Sequence, residues 1–227
     1  MTSASASPAA KKSSRRVRRS AELRERLFRA ALDQFMKKGF LEATVEDITN
    51  AADVGKGTFF NYFPSKEHIL LAFGEMQLSK LQEAIEGVRK TNMPLPDFLR
   101  SLGARMTDEA IFQHPTIVRA LLQAFLSSSD VRSSVMELQG RMLELHSQMI
   151  QIGQERGEIR DDVPAIELAQ VFRQTILGTL LMWSLSGEGS LRQRIETAFE
   201  VVWSGLRPGN TKRPASVAPL LLLGVCP

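Results

Sequence analysis

Apolar residues recur every three or four positions through most of the chain, the spacing that places them on one face of a helix. No segment alternates apolar and polar residues in the way that a half-buried strand does. We therefore predict an all-α protein, with longer helices over about 21–38, 65–90, 97–112, 115–127, 130–156, 163–186 and 190–206. Two short helices, over about 44–52 and 56–63, are predicted between the first two of these.

The two short helices are separated by turn-type residues, which gives the layout of a helix-turn-helix. Thr44 can cap the first helix through its hydroxyl, and Asp47 adds negative charge at the positive helix end. Phe59 and Phe63 lie four positions apart and can anchor the second helix to the rest of the domain. Pro64 ends that helix because it lacks a backbone N–H. An ordinary helical hairpin in a helical core would show the same pattern.

The second short helix has side chains suited to the major groove of DNA. Lys56 can neutralise a phosphate, and Gly57 leaves room for close approach to the DNA backbone. Thr58 and Asn61 are short polar groups that can reach base edges. Tyr62 can donate a hydrogen bond to a phosphate oxygen. These residues are compatible with a DNA-reading helix, and the pattern alone leaves the ordinary helical hairpin equally open.

The segment ADVGKGTFFNYFPSKEHIL, residues 52–70, resembles the signature of the TetR/AcrR family of transcriptional regulators. Thr44, Val54, the run Lys56-Gly57-Thr58, the pair Tyr62-Phe63 and the run Pro64-Ser65-Lys66-Glu67 stand in the same order as in that signature. The resemblance implies a ligand-responsive regulator, most often a repressor. The alternative that we keep is a helical DNA-binding architectural or interaction protein with no effector pocket.

Three positions depart from the usual form of the signature. Asp53 stands where the family most often has glycine, and aspartate tolerates a left-handed turn. Gly55 stands where serine or another cap is common, and glycine is an acceptable cap. Phe60 stands where many members have a tyrosine that reaches phosphate, so that hydrogen bond is absent here or passes to Tyr62.

Charge is unevenly distributed along the chain. Residues 1–66 hold 13 Lys and Arg against 7 Asp and Glu, whereas residues 67–227 hold 16 against 18. Residues 1–19 are predicted to form a disordered basic arm that lies along phosphates or enters the minor groove; the alternative is a solvated tail without a role. The residues expected to contact DNA are Arg15, Arg16, Arg18, Arg19, Thr44, Lys56, Gly57, Thr58, Phe60, Asn61, Tyr62 and Lys66.

The resemblance implies two domains after the arm. Residues 20–80 form a three-helix DNA-binding domain with the motif at about 43–62, and residues 81–206 form a larger helical domain for effector binding and dimerisation. Residues 207–227 have the composition of a flexible tail. In the family the last two long helices form a four-helix bundle across a dimer axis, although here they could also fill the core of one subunit. The candidates for the dimer contact are Phe172, Ile176, Leu180, Trp183, Ile195, Phe199, Val202 and Trp203.

An effector pocket is expected in the second domain, lined by pliable methionine and aromatic side chains. Plain core packing would explain most of these residues equally well. His146 and Gln174 could supply the polar groups that orient a ligand. The candidate lining residues are Met76, Met106, Phe112, Phe125, Met142, His146, Met149, Phe172 and Gln174, together with Met182.

Enzymatic and metal-dependent functions are disfavoured by the sequence. The three histidines, His68, His114 and His146, lack the spacing of metal ligands, and no phosphate-binding glycine loop is present. The single cysteine, Cys226, cannot form an internal disulfide, so a reducing cytoplasm is expected. We predict no cofactor, no membrane partner, and a bacterial cytoplasmic homodimer that is associated with the nucleoid when it binds operator DNA.

Overall fold

The computed structural model describes residues 8–107, 114–127 and 129–209, which form α-helices and no strand. The all-α prediction is therefore confirmed over this part of the chain. The helices are α1 (Pro8–Lys38), α2 (Val45–Ala51), α3 (Lys56–Phe60), α4 (Glu67–Lys90), α5 (Leu95–Thr107), α6 (Pro115–Ser127), α7 (Ser129–Glu155), α8 (Ala165–Ser186) and α9 (Leu191–Leu206).

The first helix is longer than the sequence pattern predicts. It begins at Pro8, whereas we expected a disordered arm through residue 19. Proline is well suited to a first helical position, and no glycine or second proline interrupts the chain before Gly39. An exposed ion pair between Arg18 and Glu22, at 3.2 Å, supports the added turns. Ala, Lys and Arg favour a helix without an apolar stripe, so apolar periodicity does not locate this earlier start.

The part of the chain predicted to bind DNA is built around a core that α1 to α4 share. Leu27, Phe35, Ile48, Phe59 and Ile69 are all completely buried in it. The same cluster continues into the second half of the chain through residues of α6 and the start of α7, namely Ile117, Ala120, Ala124 and Val131. The two predicted domains therefore share one core along α6.

A second core lies between α4, α5, α7, α8 and α9. Val88, Leu95, Met149, Phe172 and Trp203 are buried in it. Helices α4 and α7 approach closely where Gly74 faces Leu138. None of the described helices combines the length and the apolar character that crossing a membrane requires.

Candidate nucleic-acid interface and effector site

The start of α2 is fixed to the end of α1 by a polar cluster. Thr44 Oγ1 accepts a hydrogen bond from the Asp47 N–H at 3.1 Å, and the Thr44 N–H donates to Asp47 Oδ2 at 3.0 Å. Lys38 Nζ lies 2.6 Å from Asp47 Oδ1. The hydrogen bond from Lys38, with those from Thr44, lowers the pKa of Asp47 to about 2. The predicted Thr44 cap is confirmed.

The turn between α2 and α3 contains two of the three residues that depart from the family signature. Asp53 adopts a left-handed backbone with φ of 49°, the conformation for which the family favours glycine. Gly55 is the N-cap of α3 and has an extended backbone with φ of −76°. Both departures are therefore compatible with the turn.

Helix α3 has one anchored face and one open face. Phe59 and Phe63 are 0% and 2% exposed, with ring centroids 5.8 Å apart, so the predicted anchors are confirmed. Phe60 points the other way and is 54% exposed. Lys56, Gly57 and Asn61 are also exposed, and Thr58 is half-buried. The helix ends at Phe60 rather than at Phe63, with Asn61 at its C-cap.

Two side chains beside α3 already have partners within the protein. Lys56 Nζ lies 2.9 Å from Glu46 Oε2 in an exposed ion pair that a phosphate can replace. Tyr62 Oη lies 3.1 Å from Ser20 Oγ, which joins the segment after α3 to α1. Ser20 was not among the sequence candidates, because its contact with Tyr62 spans 42 positions of the chain.

The expectation that Lys66 contacts DNA phosphate is not supported by its position. Its ammonium donates to the carbonyl oxygens of Phe40, Leu41 and Ala43 at 2.7, 3.0 and 3.0 Å. It also lies 4.8 Å from the centroid of the Phe40 ring. An ammonium has three N–H donors, and all are used here. Lys66 therefore ties α4 to the turn between α1 and α2.

The basic residues of the predicted arm lie on the first turns of α1. Arg16, Arg18 and Arg19 are exposed, and the side chain of Arg15 lies outside the described residues. Because these residues are helical, they project from the exposed start of α1, which continues into the core that α1 to α4 share.

The structure brings together part of the predicted effector site. Met142, Met149 and Phe172 belong to one apolar cluster, and the His146 ring centroid lies 6.0 Å from that of Phe172. Gln174 is exposed on α8 and does not reach this group, because it lies about 200° around the helix from Phe172. Of the other candidates, Met76 on α4 and Phe125 on α6 are half-buried, and Met182 on α8 is exposed. The side chains of Met106 and Phe112 lie outside the described residues.

Arg173 is a polar residue of this region that the sequence analysis missed. Its guanidinium donates from Nη1 to the Gln139 carbonyl at 2.6 Å, and from Nη2 to Gln139 Oε1. His146 Nδ1 lies 2.6 Å from the Met142 carbonyl oxygen. Burial lowers the pKa of both Arg173 and His146, and the positive charge of Arg173 lowers that of His146 further.

Several dimer candidates are not available to a partner subunit. Trp183, Phe199 and Trp203 are 4%, 6% and 3% exposed and pack inside the subunit, as does Phe172. Apolar periodicity cannot distinguish a helix face that meets a neighbouring helix of the same chain from one that meets a second chain. The remaining candidates, Ile176, Leu180, Ile195 and Val202, are half-buried.

Large apolar side chains are exposed instead on the outer surface of α8 and α9. Met182 and Leu185 on α8 are 60% and 55% exposed, and Val201 on α9 is 67% exposed. An open groove of about 740 Å³ runs between these helices, and Met182 and Val201 line it with Thr175, Thr179 and Gln193. Among the described residues, no group of His, Cys, Asp and Glu is arranged to hold a metal ion.

Residues 27–73 match the family described as bacterial regulatory proteins, tetR family. The chain is 26% identical over 156 residues to the transcriptional regulator EthR of Mycolicibacterium smegmatis, covering 68% of this chain and 72% of that protein. It is 27% identical over 193 residues to the transcriptional repressor DhaR of a Mycobacterium species, covering 83% and 94% respectively.

The fold resembles that of FadR from Thermus thermophilus, a TetR-family transcriptional repressor solved in complex with lauroyl-CoA. The TM-score is 0.60 at 25% identity, covering 85% of this chain and 100% of that one. FadR from Bacillus subtilis, solved with stearoyl-CoA, gives a TM-score of 0.64 at 20% identity over 81% of this chain and 99% of its own.

Proposed function

This chain belongs to the TetR family of bacterial transcriptional regulators, and from that premise we propose that it is a ligand-responsive repressor that binds operator DNA as a homodimer. The observation that supports this most directly is α3, a helix anchored by buried Phe59 and Phe63 with an open polar face. A small effector with an apolar body releases the DNA. With DNA as its partner, the protein works in the bacterial cytoplasm.

In this proposal α3 lies in the major groove. Thr58 and Asn61 contact base edges, while Lys56 exchanges its ion pair with Glu46 for a phosphate. Gly57 allows close approach, since nothing lies within 4 Å of the position where a Cβ would stand. Exposed Phe60 offers its ring to a thymine methyl group or to a sugar, because it has no hydroxyl for a phosphate.

The first turns of α1 extend this surface along the DNA. Arg16, Arg18 and Arg19 act on phosphates, or enter the minor groove beside the site of α3. Removing residues 1–19 is expected to weaken binding to operator and random DNA alike. The slope of log affinity against log salt should fall by about 0.9 for each phosphate that the protein no longer neutralises. An unchanged slope would show that this segment does not touch DNA.

Dimerisation through the outer surface of α8 and α9 would present two copies of α3 to one face of the DNA. Their separation must match about one helical turn, roughly 34–36 Å, or a multiple of it. Met182, Leu185 and Val201 support the choice of this surface, because without a partner their apolar side chains would be exposed to water.

The effector changes this separation by moving α4, which runs from the DNA-binding core into the second core. Helix α6 provides a second connection, since Arg119 Nη1 donates to the Ser184 carbonyl of α8 at 3.3 Å while Ile117 packs in the DNA-binding core. A ligand shifts the equilibrium only if it binds the two states unequally. Unchanged distances between spin labels at position 58 of the two subunits, under an effector that abolishes DNA binding, would rule this mechanism out.

The proposal is tested by measuring the affinity for DNA upstream of the chain's own gene and its neighbours, against random DNA, by fluorescence anisotropy. Lys56→Glu should abolish binding, while the matched control Lys90→Glu, exposed at the far end of α4, should not. Equal affinity for all DNA would reject a sequence-specific regulator. Specific binding that no small molecule changes would favour the architectural alternative.

A further inference from the structure

The contact between α7 and α8 contains a positive charge that no described carboxylate neutralises. Arg173, on α8, is half-buried, and its hydrogen bonds go to the backbone and side-chain oxygens of Gln139 on α7. Within the part of the chain that the structure describes, no carboxylate pairs with it. A guanidinium has five N–H donors, and Gln139 occupies two of them.

An unpaired cation in this position requires an explanation. Burying a charge is unfavourable unless a counter-charge or a full set of hydrogen bonds compensates for it. Another half-buried arginine of this domain, Arg156, donates to three backbone carbonyls at a helix end instead. Arg173 lies beside the middle of α7, where the carbonyls are already bonded within the helix.

His146, which lies one turn after Met142 on α7, adds a directional polar atom to the region around Arg173. Its Nδ1 faces the Met142 carbonyl, so Nδ1 carries the proton and Nε2 is left as an acceptor. No described residue bonds Nε2. The ring also contacts Phe172, so the polar pair borders the apolar cluster that includes Met142 and Met149.

We propose that Arg173 binds the anionic head group of the effector, and that His146 orients it while the adjacent apolar cluster holds a hydrocarbon body. The effector is therefore an amphipathic anion with a carboxylate or a phosphate monoester. This inference rests on the proposed function, since it names the ligand of the same regulatory domain. Guanidinium suits both head groups because its donors match their oxygen spacing.

The first experiment compares three probes of equal chain length on the full chain without DNA: decanoate, decyl phosphate and decan-1-ol. Binding is followed by intrinsic fluorescence, because Trp203 stacks on Phe199 at 5.9 Å within the same apolar cluster. At least one anion should bind at least about tenfold more tightly than the alcohol, because charge-assisted hydrogen bonds are stronger than neutral ones. The better anion identifies the head group.

The second experiment repeats this comparison on variants. Arg173→Met should bind the anion no more tightly than the alcohol, and Arg173→Lys should retain part of the preference. Arg141→Met is the matched control, because Arg141 lies on α7 but is paired with Glu75 at 2.7 Å on the surface. It should keep the full preference. The ratio of the two affinities is insensitive to a general loss of stability, and the Lys variant serves if the Met variant does not fold.

Equal affinity for anions and alcohol, or no anion binding up to about millimolar concentration, would overturn the inference. A preference that survives in Arg173→Met would overturn it as well. These measurements need no DNA. Failure to bind operator would therefore reject the proposed function separately, and specific DNA binding without anion preference would reject only the ligand class.

Discussion

At the scale of single residues, Asp47 connects the end of α1 to the start of α2 through Lys38 and Thr44. Its pKa is lowered from the ordinary value of 3.8 to about 2, so folding favours the charged form. This contribution to stability is fully present above the ordinary pKa and is lost as the pH falls from there through about 2.

We expect Asp47→Asn to reduce the free energy of unfolding at neutral pH and to flatten its decline in acid. The measurement is urea denaturation from about pH 6 to about pH 2.5. Asp33→Asn is the control, since Asp33 pairs with Lys37 in an exposed ion pair within α1. Parallel acid profiles for the Asp47 variant and the unmodified protein would contradict this.

Lys56 and Asn61 test whether affinity and specificity come from different residues of α3. Lys56→Met should lower the salt slope by about 0.9 on operator and random DNA alike. Asn61→Ala should leave the slope nearly unchanged and cost about 1–3 kcal/mol on the operator only, if its base contact is bidentate. Salt titrations of both variants on both DNAs decide this. Equal losses on the two DNAs for Asn61→Ala would show that this side chain does not read sequence.

At the scale of helices, Lys66 joins α4 to the turn between α1 and α2. Lys66→Met leaves three carbonyls without their donor, and we expect it to destabilise the protein by about 1–3 kcal/mol. Lys90→Met, on the exposed end of the same helix, should have little effect. Chemical denaturation measures the stability, and a salt titration of DNA binding shows whether Lys66 contacts a phosphate. A slope lowered by one phosphate, with unchanged stability, would show that Lys66 contacts DNA after all.

Glycines on α4 test the packing of α4 on α7. A Cβ at Gly74 would lie 2.2 Å from Leu138 Cδ2, whereas one at Gly87 would meet nothing within 4 Å. Gly87→Ala should therefore stabilise the protein by up to about 1 kcal/mol through helix propensity. Gly74→Ala should lose that gain or reverse it, because Leu138 must move. Equal stabilisation by both substitutions, measured by thermal denaturation, would show that the helices separate easily here.

Sequence reasoning succeeded where the cause is local. The Thr44 cap, the left-handed Asp53 and the Phe59 and Phe63 anchors follow from neighbouring residues, and the structure has each of them. It did not foresee the partners of Lys66 within the protein, which lie 23 to 26 positions away. It missed Arg173 for the same reason, since the contact with Gln139 spans 34 positions.

At the scale of the whole molecule, the large apolar residues of α8 and α9 lie on two surfaces, one packed inside the subunit and one facing outwards. Trp203 and Trp183 fill the subunit, and Met182 and Val201 remain in water. Periodicity predicted that these two helices are rich in apolar residues. It did not predict which of those residues are buried and which are exposed, because both surfaces belong to the same helices.

Substitutions on the two surfaces should therefore have different effects. Val201→Glu should dissociate the proposed homodimer and leave each subunit folded, because a charge would enter the proposed apolar interface. Trp203→Ala should instead destabilise the subunit by about 3–5 kcal/mol through loss of core packing. Light scattering at micromolar concentration and circular dichroism separate the two. A monomeric unmodified protein would defeat the assembly part of this expectation.

The core that α1 to α4 share with α6 limits how this protein can be divided. A fragment ending near residue 80 would leave Leu27 and Phe35 without Ile117, Ala120 and Ala124, which complete their cluster. Such a fragment exposes apolar surface that the intact chain covers, so it is a poor module for chimaeric regulators. Exchanging DNA specificity between proteins of this design calls for replacing the open face of α3, or for transplanting α6 together with the first four helices.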